Sequence, residues 1–170
     1  MTAHWTDELV LLRVCADAVE WARPFASLDE AWAACGRGDW MLWLCGRLAG
    51  PPWSNGRRRL VLASCGCARL ALHHVQAGDD RPRLAIEAAE QWARDDDGTR
   101  EDVHRAYAAA YAAYAAAADD AAYTAATAAR EDTLRRCADI VREHYPSPPI
   151  VQVVSQKQTN AHGQDQEGDA

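Results

Sequence analysis

The segment Pro82-Arg83-Leu84-Ala85-Ile86-Glu87-Ala88-Ala89-Glu90-Gln91-Trp92-Ala93-Arg94 sets the class of the fold. At ~100° per residue, Leu84, Ala85, Ile86, Ala88, Ala89, Trp92 and Ala93 fill one broad face of a helix. Arg83, Glu87, Glu90 and Arg94 share the other face, and Arg83–Glu87 and Glu90–Arg94 stand in i,i+4 register for ion pairs. Pro82 suits the first helical position, just after the turn signal Asp79-Asp80-Arg81. The whole chain leans the same way. Of its 170 residues 36 are alanine, against one phenylalanine. Alanine is the best helix former and is depleted in strands, so this composition excludes an all-β protein.

Upstream, Ser54-Asn55-Gly56 opens a helix expected from Arg57 to Val75. Its body, Leu60 to Leu72, is apolar almost throughout and reads as the central helix of the core. Arg57, Arg58 and Arg59 face the unfavourable end of that helix's dipole, so solvent or a carboxylate from elsewhere must offset them. Arg69 interrupts the apolar run, and burial there demands a partner, with Asp39 or Glu87 the candidates. Outward snorkelling of Arg69 is the alternative. Asp39 is placed to cap a helix through Leu48, which Gly50-Pro51-Pro52 ends. Trp40 to Leu48 is apolar around nearly its whole circumference, which predicts a buried helix. Ser27-Leu28-Asp29-Glu30 forms a capping box for a short helix ending at Gly36 or Gly38. The first helix is expected from Asp7 to Trp21, with Thr6 as its N-cap and Pro24 closing it.

Downstream, Asp95-Asp96-Asp97-Gly98 lacks the spaced ligands and closing Glu of a calcium loop and reads as a solvated turn. From Thr99 no Gly or Pro occurs until Pro146. One helix of that length would span roughly 70 Å, against a radius of gyration of about 15 Å for a compact domain of this size. Tyr107, Tyr111, Tyr114, Ala118, Ala121, Ala125 and Ala128 fall in one sector. Leu134, Ala138, Val141 and Tyr145 lie roughly 180° away. The spacing favours a break within 128–134, giving helices over 100–129 and 133–145, with one long helix as the alternative. The Tyr/Ala stripe suits close helix packing, and its functional alternative is a partner-binding or homodimer face. Beyond Pro146, residues 148–154 read as a short extended segment and 156–170 as a disordered tail. The expected architecture is an all-α, single-domain bundle of about six or seven helices over 1–145, with a tail over 146–170.

Net charge is −7. No segment is basic, and residues 51–98 are neutral, so a phosphate-tracking nucleic-acid surface is not expected. No run approaches the ~20 apolar residues that cross a bilayer. The N-terminus lacks a signal-peptide pattern, which leads to a cytoplasmic expectation. The six cysteines then stay reduced. Within Cys65-Gly66-Cys67 the two thiols point roughly 200° apart on a helix, and the adjacent His73 and His74 also diverge. Small buried residues are therefore the reading, in preference to a metal site. Cys67 and His74 are about two helical turns apart, too far for a thiol–imidazole pair. No nucleophile elbow, P-loop or dinucleotide fingerprint occurs. Neither catalysis nor a cofactor is expected.

Asp39-Trp40-Met41-Leu42-Trp43-Leu44, then Arg57 to Arg69 with its Cys65-Gly66-Cys67-Ala68-Arg69, then Asp80-Arg81-Pro82-Arg83-Leu84-Ala85-Ile86-Glu87-Ala88-Ala89-Glu90-Gln91-Trp92-Ala93 resemble the Imm-5-like group of bacterial immunity proteins. The Ala/Tyr-rich run and Ala138-Asp139-Ile140-Val141-Arg142 are similar too, so the resemblance covers about 39–145. It implies a helical protein that binds and neutralises a cognate toxin of a polymorphic toxin system, without catalysis. Asp39, Arg69, Arg83, Glu87 and Trp92 are the positions it marks as holding the fold. The acidic positions Asp29, Glu30, Asp95, Asp96, Asp97, Asp119 and Asp120 are the expected contacts for a basic partner. A helical adaptor using the Tyr/Ala face is the alternative function.

Overall fold

The computed structural model describes residues 4–94 and 126–149. Among these, every regular element is helical, as the alanine excess requires. The order is α1 (Thr6–Leu11), α2 (Ala16–Ala22), α3 (Leu28–Ala34), α4 (Gly38–Leu48), α5 (Asn55–Arg69), a 3-10 turn (Leu72–His74), α6 (Arg81–Arg94) and α7 (Ala126–His144). The turn at 95–98, the Tyr/Ala stripe up to 125 and the segment from 150 onward lie outside the described residues.

Helix α5 is the hub, packed against α4, α6 and α7. The main core joins Leu9, Val19, Trp32, Met41, Leu44, Cys45, Ala63, Ala138 and Val141. A smaller cluster of Cys65, Ile86 and Ala89 seals α5 to α6. Gly38 lets α4 touch α7 backbone to backbone. A Cβ there would stand 2.4 Å from Cys137 Cβ and 2.7 Å from the Ala138 nitrogen. The capping box forms in half: the Glu30 N–H donates to Ser27 Oγ at 3.2 Å, but Glu30 Oε2 accepts at 2.9 Å from the N–H of Ala26, one residue before the cap, rather than from that of Ser27. Ser54 caps α5, accepting from the Arg57 N–H at 3.2 Å.

Several expectations are corrected. The helix over 7–21 is two helices, because the chain leaves the right-handed region at Arg13, whose φ is 63°. On one straight helix, Leu9 and Val19 would stand ~15 Å apart; the break folds both into one core cluster. Thr6 is not the cap. It lies inside α1, buried, with its Oγ1 2.8 Å from His4 Nδ1. Asp39 sits in the first turn of α4 rather than capping it, since that helix already starts at Gly38. Helix α5 ends at Arg69, not Val75. Its continuation tightens into i→i+3 bonds such as Leu70 N–H to Cys67 O, and this brings Leu72 against the Ile86 cluster. No break occurs over 128–134: α7 runs on through it. With no Gly or Pro to interrupt the ladder, the Glu131–Arg135 pair at 3.4 Å spans the site of the expected break. The face predicted for α7 is the buried one, with Ala138, Val141 and Tyr145 in the core. Helix α4 is not buried all round: Met41, Leu44 and Cys45 face inward, but Trp43 is 42% exposed.

Candidate functional site

The charged residues marked by the sequence are drawn into the fold, with altered partners. Arg69 pairs with neither Asp39 nor Glu87. Its Nε and Nη2 donate to Glu90 Oε1 and Oε2 at 2.8 and 3.0 Å, a two-point bond from α5 to α6. Glu87 and Glu90 are about one turn apart on α6, and the register of α5 on α6 selects the second. Arg94 also reaches Glu90 at 3.3 Å, in the expected i,i+4 geometry. The Arg69 hydrogen bond outweighs partial burial and holds the Glu90 carboxyl below its usual range. Arg83 pairs with Glu87 at 2.8 Å as expected, and also with Asp80 at 3.2 Å. Asp39 takes Arg37 instead, at 2.9 and 2.6 Å. Burial works to raise the Asp39 carboxyl, but the Arg37 hydrogen bond and charge win and lower it.

Arg142 and Tyr145, near and just beyond the end of α7, carry structural roles that periodicity does not reveal. Arg142 Nη1 donates to the Cys35 carbonyl at 2.8 Å and the Trp32 carbonyl at 3.2 Å, satisfying carbonyls at the C-terminal end of α3. Tyr145 donates its hydroxyl to the Gly56 carbonyl at 3.0 Å. Among the described residues, the buried donor Trp92 Nε1 finds no acceptor, and Arg58 lies over the Trp92 ring at 5.6 Å.

The cysteines diverge as the helical geometry requires. The Cys65 thiol faces the Ile86 carbonyl on α6 at 3.8 Å, and the Cys67 thiol faces the Cys137 carbonyl on α7 at 3.7 Å. Burial pushes Cys45 up to about 12 and Cys65 up to about 11, so both are thiols at neutral pH. His73 and His74 do not diverge: on the 3-10 turn their rings touch, with centroids 3.8 Å apart. Among the described residues no group of three or more His, Cys, Asp or Glu is placed to hold a metal ion, and no helix is long and apolar enough to cross a membrane.

The remaining candidates concern contact with a partner. Asp29 is exposed on α3. The Glu30 carboxylate beside it accepts from the Ala26 N–H. Asp95, Asp96, Asp97, Asp119 and Asp120 lie outside the described residues. Sequence reasoning passed over the aromatic surface. Trp43 and Trp53 are both more than two-fifths exposed, and Arg47, one turn on from Trp43, lies 5.7 Å from its ring centroid. Compared with protein-family models, with curated proteins and with solved structures, the chain matches none.

Proposed function

We propose that this chain is a non-catalytic immunity protein that binds a cognate toxin domain and occludes it in the cytoplasm. The observation that carries the reading is how the charged and aromatic residues of the resembling segments are divided. Arg69, Arg83, Glu87 and Asp39 are all held in ion pairs within the fold. Trp43 of the same segments turns outward on α4 with Arg47 beside it. Trp and Arg are the side chains that most often dominate the energy of a protein interface. A standard interface covers about 800 Å² on each partner. On this reading Trp43 and Arg47 anchor it. Asp29, with Asp95–Asp97 and Asp119–Asp120, supplies the acidic contacts that steer a basic toxin surface into place. The buried, protonated Cys45 and Cys65 are consistent with a protein that acts by contact rather than by chemistry.

The test is co-expression with the toxin candidate encoded by the adjacent gene. Growth should be rescued by the wild-type chain and lost with Trp43→Ala, while Leu84→Ala on α6 still protects. A neighbouring product that is not toxic, or toxicity that this chain does not relieve, removes the reading.

A further inference from the structure

Two thiols meet where α5 packs on α7. The Cys67 thiol lies 3.7 Å from the Cys137 carbonyl and donates a hydrogen bond to the Cys137 sulfur. The two residues are 70 apart in sequence. Glycines bring the backbones around them close together. At Gly66, next to Cys67, an added Cβ would stand 2.7 Å from Ile140 Cγ2, so α7 lies tight against α5 there. At Gly38 a Cβ would stand 2.4 Å from Cys137 Cβ, so α4 is packed directly on the stem of Cys137. Cys137 therefore has little room to draw away from Cys67.

The other cysteines are placed elsewhere. Cys65 faces the Ile86 carbonyl on α6, and the Cys35 sulfur accepts from the Arg37 N–H at 3.4 Å. Cys45 is buried in the main core, and Cys15 is exposed. Cys67 itself is half-buried, so its sulfur is not sealed from small solutes. The hydrogen bond from Cys67 holds the Cys137 thiol below its usual value against the effect of burial. The thiolate is the reactive form of cysteine, so Cys137 is the nucleophile of the pair.

We propose that Cys67 and Cys137 form a redox-modification site, converted by hydrogen peroxide to a disulfide that fastens α5 to α7. The Cys137 thiolate attacks one peroxide oxygen. The O–O bond breaks, hydroxide leaves and takes up the proton Cys137 had released, and a sulfenic acid remains. The Cys67 sulfur then attacks the sulfenic sulfur, and its proton leaves with the displaced hydroxide as water. In sum, two thiols give up two protons and two electrons, and one peroxide becomes two waters. Thiols already in contact reach the ~2.05 Å of a disulfide with small side-chain movements. The bond constrains the unfolded chain across a long loop and so stabilises the fold. The site does not depend on the immunity reading and stands or falls separately.

The test uses the full chain carrying Cys15→Ser, which removes the exposed thiol and with it cross-linking between chains at that position. Native protein is treated with a small excess of hydrogen peroxide, quenched, and its thiols counted after denaturation. Two of the five remaining thiols should be lost, the mass should fall by two hydrogens, and dithiothreitol should restore both. The oxidised form should melt at least about 5 °C above the reduced one. Adding Cys67→Ser or Cys137→Ser should abolish the mass loss, whereas Cys65→Ser should leave it intact. If the Cys137 variant does not fold, Cys67→Ser at the half-buried position decides alone. A full thiol count, a mass gain of oxygen atoms in place of the loss, a bond that persists without Cys67, or an oxidised form that melts lower than the reduced one would each overturn the proposal.

Discussion

Trp32 donates its indole N–H to the carbonyl oxygen of Tyr145 at 3.0 Å, across 113 residues of sequence. The bond is buried and ties α3 to the chain just past α7. Trp32→Phe removes the donor, leaves a buried carbonyl unpaired and shrinks a packed ring. The expected cost is about 2 kcal/mol. Trp43→Phe, on the exposed face of α4, should change stability by less than about 0.5 kcal/mol. Urea midpoints of the two variants check the contrast, and equal midpoints would contradict it.

Gly38 is the closest approach between α4 and α7. In Gly38→Ala the new methyl would overlap Cys137 Cβ and the backbone of Ala138, neither of which is a flexible chain end. Overpacking of this kind costs about 3 kcal/mol, so the variant should melt well below wild type. Gly36→Ala, whose nearest contact is the Arg135 side chain at 3.4 Å, serves as the tolerated control. Thermal melts of the pair should differ by more than 5 °C, taking about 2–4 °C per kcal/mol for a domain of this size.

Glu90 gives acid sensitivity a defined origin. Its carboxyl is held low chiefly by the Arg69 hydrogen bond. A group whose folded value is depressed adds stability above its unfolded value, about 4.3 for Glu, and loses that contribution as pH falls through the folded value. Wild type should therefore lose more stability than Glu90→Gln between pH 5 and pH 3. At pH 7 the variant should be about 1 kcal/mol less stable, a modest figure because Arg69 is 40% exposed. Parallel pH profiles of the two proteins would contradict this assignment.

The thiols should fall into two kinetic classes. Cys15 is exposed, whereas Cys35, Cys45, Cys65 and Cys137 are buried and Cys67 is half-buried. At pH 8 a disulfide reagent should find one fast thiol, absent in Cys15→Ser, and reach the others only after denaturation. Two or more fast equivalents in the native protein would contradict this division of the thiols.

Much of the fold is legible in local pattern. The apolar face of α7 follows from the three- and four-residue spacing of Leu134, Ala138, Val141 and Tyr145, and the α3 cap follows from Ser27 and Glu30. What escapes the sequence depends on register between helices. Arg69 could reach either of two carboxylates on one face of α6, and periodicity does not choose between them. The reversal at Arg13 has no Gly or Pro to announce it; tertiary burial of Leu9 and Val19 together imposes it. The candidate partner surface was legible only in part. The acids stand out in sequence, but the exposure of Trp43 does not, because α4 reads as apolar all round.

The proposed immunity function is tested most directly by mixing the purified chain with the purified product of the adjacent gene, the toxin candidate, and measuring complex formation alongside any residual toxin activity. The immunity reading predicts a one-to-one complex, abolished toxin activity, and at least tenfold weaker binding by Trp43→Ala with an unchanged melting temperature. Full toxin activity in the presence of excess wild-type chain would contradict it.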